Sequence, residues 1–448
     1  MAEPIITVSG LRGVVGVTLT PEVALRYVAA FADSAPPGPI LVARDSRPSG
    51  RMLAQVIGAG LQAVGRDTLD AGIIPTPTAG VLVRTCRAAG AVVISASHNP
   101  AEYNGLKLIS AEGRNLPLGP GRKVLDAYRA ACPRWVLHDK LGTTAACSDP
   151  LSAHLDLVLA TVDAACIRRR AFNVLLDANH GAGGPLGRRL LESLGCRVTL
   201  LGPEPDGHFE HLPEPTAENL AGVSSAVVAA GADVGFCQDP DADRLAVIDA
   251  SGRYLGEEYT LALCVAHALR QRRGPIVSNC SSSRMSEDLA HRAGVPFVRT
   301  AVGEANVVDA MLAHQALFGG EGNGGPIDLR VGPIRDSFVG MAQLLDAMAA
   351  REVSMAELAG ELPRYAIVKR KLPLPPAGIA AVVDALERHF TGARIDRLDG
   401  LRLDWPDGWL LLRGSNTEPI LRTMAEAQDA ARAGQLSDEA AAVAASVK

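Results

Sequence analysis

Four short clusters carry the groups that could do chemistry. The first, Ala96-Ser97-His98-Asn99-Pro100, sets a hydroxyl beside an imidazole, and Asn104-Gly105-Leu106-Lys107 adds an amide and an ammonium. A serine so flanked is a candidate phosphoryl or acyl carrier; an ordinary capping serine is the plainer alternative. The second, Asp239-Pro240-Asp241-Ala242-Asp243-Arg244, has a carboxylate at every second position. Such carboxylates repel one another unless a cation gathers them, and oxygen ligands suit Mg²⁺. An EF-hand loop fails on spacing, because its sixth position would be Arg244 and its twelfth Ala250. The third, Gly319-Gly320-Glu321-Gly322-Asn323-Gly324-Gly325, allows close backbone approach, while Glu321 and Asn323 offer acceptors and a donor for sugar hydroxyls. A flexible glycine turn has the same composition. The fourth, Arg413-Gly414-Ser415-Asn416-Thr417-Glu418-Pro419 with Arg422 beyond it, gathers the donors that a phosphate dianion needs. Its residues would also cap a helix beginning near Pro419, and helix N-termini bind anions.

Elements of defined type must aim these clusters. Residues 91–95 form an apolar, β-branched run typical of a buried strand. Pro100 keeps Asn99 out of helical geometry, so Ser97 and His98 are expected to be exposed at that strand's carboxyl end. Open α/β sheets bind ligands there. Strands over 234–237 and 245–249 flank the aspartates, 316–318 precede the glycines and 409–412 deliver Arg413. Thr20-Pro21-Glu22 reads as a helix cap followed by proline in the first turn. Strand-like runs alternate with Ala/Leu-rich helical patterns through most of the chain, which predicts parallel α/β layers. Four blocks follow: 1–148, 149–252 and 253–364 of α/β character, and a smaller α+β block, 365–448. The Pro/Gly-rich stretch 202–215 reads as a surface connection.

Composition narrows the function classes. A net charge of -5 argues against a general nucleic-acid binder. No apolar run reaches membrane-spanning length. The eight cysteines are scattered without a CxxC pair, which disfavours zinc and suits free thiols in a reducing cytoplasm. The first residues show no basic segment followed by an apolar run, so no signal peptide is expected.

In order and spacing, the motifs at 97–100, 239–244, 320–325 and 413–419 resemble those of the α-D-phosphohexomutases over essentially the whole chain. Ser9-Gly10-Leu11-Arg12-Gly13, Asp45-Ser46-Arg47, the Thr76-Pro77 turn and residues 104–107 are similar to further family segments. The resemblance implies four domains around a central active-site cleft, three of them related α/β domains with mixed, mainly parallel sheets and the fourth a C-terminal α+β domain. It implies that Ser97 carries a phosphoryl group and holds Mg²⁺ together with Asp239, Asp241 and Asp243. Arg12, His98 and Lys107 would surround that group, Lys107 or His98 moving the proton, and Arg244 would face it. Glu321 and Asn323 would meet the sugar, and Arg413, Ser415, Asn416, Thr417 and Arg422 its distal phosphate. Hexose 1,6-bisphosphate would be activator and intermediate, the partner a small sugar phosphate, and the chain a monomer or homodimer.

The chain also departs from the family pattern. Pro240 stands where the metal loop often has glycine, and Asn323 and Gly325 stand where the sugar loop usually has serine and histidine. The glycine-rich form is similar to the archaeal-type phosphoglucosamine mutase-like branch, which favours glucosamine phosphate over glucose or mannose phosphate. A phosphatase working through the aspartates would leave Ser97 and the Arg413 loop without a task. A silent sugar-phosphate sensor would be expected to lack the nucleophile or a metal ligand, and both are present.

Overall fold

The computed structural model describes residues 3–7, 9–130, 133–414 and 419–447. Four sheets follow one another along the chain. In the first, strands Gly90–Ile94, Ile40–Arg44, Thr68–Ile73 and Thr144–Ala146 run parallel, and Tyr103–Ser110 returns antiparallel to Gly90–Ile94. In the second, Val234–Gln238 pairs parallel with Asn173–Asp177, and Leu245–Asp249 returns antiparallel. The third repeats the device, with Phe318–Glu321 parallel to Ile276–Asn279 and Gly325–Ile327 returning. The Ser97, Asp239 and glycine clusters therefore occupy one topological position: the turn from a buried parallel strand into its antiparallel neighbour.

Local chemistry explains the framing elements. Thr20 accepts a hydrogen bond from the Val23 amide and caps the helix Pro21–Ser34. Asp336 caps Ser337–Arg351 by accepting from the Phe338 and Val339 amides. Most of that helix is buried, and one apolar core runs from the second sheet into the third around it. A buried imidazole joins three blocks: His154 Nδ1 lies 2.8 Å from Thr78 Oγ1, and its Nε2 lies 2.7 Å from Asp336 Oδ2.

The last sheet is antiparallel, with Ile420–Ala427 between Ala366–Pro373 and Gly408–Gly414. Among the described residues no helix begins near Pro419; the strand Ile420–Ala427 follows it instead. Alternate residues Leu421, Thr423 and Ala425 are buried, so that segment gains more as a central strand than as a capped helix. This sheet is fastened to the third block at Asp404, which Arg299 and Arg284 of that block reach at 2.8 and 3.2 Å, while Arg402 of its own strand lies 3.1 Å away. Burial raises the Asp404 pKa, but Arg402 and Arg299 outweigh it and bring it down to about 2. A depressed carboxylate stabilises the fold above its unfolded value near ~4, and that contribution fades as pH falls towards about 2. Asp404→Asn should therefore cost about 1–2 kcal/mol at neutral pH after solvent screening, with the gap to wild type closing between about pH 4 and 2 in urea titrations.

Candidate active site

The Ser97 turn is fixed before any ligand arrives. Arg47 is fully buried and donates to four carbonyls of one loop: Ser97 at 2.7 Å, Asn99 at 2.5 Å, Pro100 at 2.7 Å and Tyr103 at 3.1 Å. The Asp45 carboxylate accepts from Arg47 Nε and from Ser95 Oγ, which in turn accepts from the Ser97 amide. These bonds hold Ser97 at φ 50°, a left-handed conformation that costs a non-glycine residue about 1–3 kcal/mol. The stretch 202–215 is a connection that also packs across blocks: Phe209 lies over the Arg47 guanidinium at 5.1 Å. On the expectation that Ser97 is the reacting hydroxyl, Arg47→Met should leave the substrate KM nearly unchanged while kcat falls about 100-fold, since misplacing a reacting group by an ångström costs that much. Steady-state kinetics check the split.

Ser97 is only 8% exposed, not open as the strand-end position suggests, because the aspartate loop closes over it. Its Oγ donates to Asp239 Oδ2 at 2.6 Å and lies 3.4 Å from His98 Nδ1. Asp239, Asp241 and Asp243 each offer an oxygen within 4.8 Å of the others. Lys107 Nζ reaches Asp241 Oδ2 at 2.5 Å and Asp243 Oδ2 at 2.9 Å, and Thr76 Oγ1 also donates to Asp241 Oδ2. Among the described residues, the opposite oxygens, Asp241 Oδ1 and Asp243 Oδ1, are buried without a hydrogen-bond donor. Bare, converging carboxylate oxygens fit a hard divalent cation.

Electrostatics sharpen the picture. Burial, then the charges of Asp241 and Asp243, push Asp239 up to about 8. Burial also opposes ionisation of Asp243, but Arg335 and Lys107 hold its pKa below the usual range. Burial works against the Lys107 ammonium, yet Asp241 and Asp243 keep its pKa above normal. Burial, with Arg244 next in weight, pushes His98 down to about 2 and leaves it a neutral imidazole.

A cavity of about 240 Å³ opens beside Ser97 and brings together Arg12, His98, Lys107, Arg244 and Glu321. Glu321 accepts from Asn279 at 2.7 Å and Arg335 at 2.9 Å, and Asn323 Nδ2 lies 3.5 Å from it. A Cβ on Gly322 would displace the Glu258 carboxylate, so glycine lets that carboxylate sit against the loop. Arg413 and Arg422 lie on the last sheet, away from this cavity's lining. Arg413 Nε donates to Asp399 Oδ1 at 2.9 Å, and Asp399 Oδ2 accepts from the Val302 amide at 2.9 Å. Register sets Arg422 opposite Arg413 on one side and Lys371 on the other, which brings three basic side chains into one row of the sheet. Ser415, Asn416 and Thr417 lie outside the described residues. Sequence reasoning missed Arg335 and Glu304, which line the cavity, because single charges between predicted elements carry no motif.

Comparison with known proteins agrees with this architecture. Residues 5–131, 152–252 and 257–365 match phosphoglucomutase/phosphomannomutase alpha/beta/alpha domains I, II and III, and 367–443 match the C-terminal domain. A phosphoglucomutase/phosphomannomutase of Thermococcus kodakarensis is 35% identical over 95% of this chain and 94% of its own length. A probable phosphoglucosamine mutase of Pyrococcus horikoshii is 32% identical over 96% of each. The crystal structure of a phosphoglucomutase/phosphomannomutase family protein from Burkholderia thailandensis superposes with a TM-score of 0.86 at 27% identity, covering 99% of both chains. The chain belongs to the α-D-phosphohexomutase family. It is a phosphohexomutase, an isomerase that moves a phosphoryl group within a sugar phosphate. Among the described residues no helix is long and apolar enough to cross a membrane, and the seven described cysteines are free thiols.

Proposed function

We propose that this phosphohexomutase interconverts hexose 6-phosphate and hexose 1-phosphate through a phosphoserine at Ser97 and a hexose 1,6-bisphosphate, with glucosamine 6-phosphate as its main substrate. The observation that carries the reading is Ser97 Oγ lying 2.6 Å from the carboxylate triad at the edge of the cavity. Asp239, Asp241, Asp243 and an oxygen of phosphorylated Ser97 would hold Mg²⁺, whose charge would stabilise the transferring phosphoryl group. A sugar hydroxyl attacks phosphorus as the Ser97 Oγ–P bond breaks, and the hydroxyl's proton passes by way of His98 or Lys107, the titratable groups beside Ser97, to the departing Oγ. Arg12 and Arg244 offset charge on the transferring oxygens. The bisphosphate then turns over in the site and returns its other phosphate to Ser97, so catalytic hexose 1,6-bisphosphate would activate dephosphorylated enzyme. Free thiols suit a reducing cytoplasm.

The basic stripe fits the grip on the distal phosphate, with Asp399 orienting Arg413. Arg413→Ala should raise KM for the monophosphate at least tenfold while slowing phosphoserine formation from the bisphosphate much less; equal effects would argue against this role. The glucosamine preference is supported by relatives named probable phosphoglucosamine mutase. A glucose or mannose preference is the second reading, favoured by the 35% identical relative of the other name. Comparing kcat/KM for glucosamine, glucose and mannose 6-phosphates, with a trace of bisphosphate, decides between them.

A further inference from the structure

We propose that Arg335 couples the cation site to the sugar loop, so that filling either site strengthens binding at the other. The proposal rests on reading the aspartates as the cation site and residues 319–325 as the sugar loop. Arg335 stands at the cleft, its side chain 10% exposed, and bridges three carboxylates that reach it from three segments. Its guanidinium donates to Asp243 Oδ2 at 2.8 Å and to Glu321 Oε2 at 2.9 Å, while Glu304 Oε2 pairs with Nε at 2.8 Å through charge alone, without hydrogen-bond geometry. A guanidinium is a rigid plane with donors along every edge, so fixing one partner fixes the direction offered to the others. Lysine has a single ammonium and cannot span the same three groups.

The two ends of this bridge face different ligands. Asp243 spends Oδ2 on Arg335 and Lys107 and keeps Oδ1 buried without a hydrogen-bond donor among the described residues, free to meet a cation. Glu321 has one oxygen on Arg335 and the other on Asn279, which sets how its carboxylate meets a sugar hydroxyl. A cation that orders Asp243 thereby orders Arg335 and Glu321, and a sugar arriving afterwards has less left to order. A ligand that bears part of a shared ordering cost lowers it for the next one. Without Arg335, three carboxylates would repel one another and the two loops would settle independently.

The test uses the full chain with Mn²⁺ as the cation and 1,5-anhydroglucitol 6-phosphate, which lacks the anomeric hydroxyl needed to accept a phosphoryl group. Calorimetry gives the Mn²⁺ Kd with and without the analogue, and the analogue Kd with and without Mn²⁺; both ratios must agree, because coupling is reciprocal. We expect at least about fivefold coupling in the wild type, falling to within about twofold in Arg335→Lys and Arg335→Met. Should the methionine variant fail to fold, the lysine variant, which keeps the charge, decides the matter. Full coupling in Arg335→Lys, or no coupling in the wild type, would overturn the proposal while Mg²⁺-dependent turnover left the mutase reading standing. A wild type that binds no Mn²⁺ would overturn the cation reading itself.

Discussion

Ser97→Ala should lose at least about a thousandfold in turnover while keeping its fold, because on the proposed mechanism it removes the hydroxyl assigned to carry the phosphoryl group. Thr76 Oγ1, the hydroxyl beside the triad, is committed to Asp241 and offers no substitute nucleophile. The turn itself should persist, since Arg47 holds it through the carbonyls of residues 97, 99, 100 and 103, none of which involves Oγ. Thermal unfolding within a few degrees of wild type, beside a silent coupled assay, is the expected pair of results. Activity near that of wild type would remove the serine from the mechanism.

Stripping divalent cations should silence the enzyme just as completely, and adding Mg²⁺ should restore it. The triad packs three carboxylates into one buried corner, where burial first and then the charges of Asp241 and Asp243 lift Asp239 to about 8. Lys107 and Arg335 neutralise one side of the cluster and leave Asp241 Oδ1 and Asp243 Oδ1 bare. Losing a cation there removes several kcal/mol of charge stabilisation, which corresponds to about a thousandfold or more in rate. The same cation should raise the unfolding temperature of resting enzyme, because it binds the folded chain alone. Full turnover in chelator would refute the assignment.

The parts of this site written as contiguous motifs were legible in the sequence. Ser97-His98, the alternating aspartates, the glycine run and Arg413 each follow an apolar run, and three of those runs are buried parallel strands. The antiparallel return strands were less visible as such, because an apolar run does not reveal its direction. The fate of Ile420–Ala427 was hidden for a related reason: a turn rich in Ser, Asn and Thr caps helices and ends strands alike, and only pairing on both sides decides. Arg47 stood in the Asp45-Ser46-Arg47 segment, but its grip on residues 97–103 left no local pattern, and neither did the roles of Glu304 and Arg335, which come from residues up to 92 positions away.

The most direct test of the central claim is to find where the phosphoryl group rests. Enzyme incubated with labelled hexose 1,6-bisphosphate, quenched in acid and mapped by peptide mass spectrometry should carry one acid-stable phosphate on Ser97. Label on Asp239 or Asp241 that hydroxylamine releases, with free phosphate appearing in step with sugar turnover, would contradict the account and leave a phosphatase in its place.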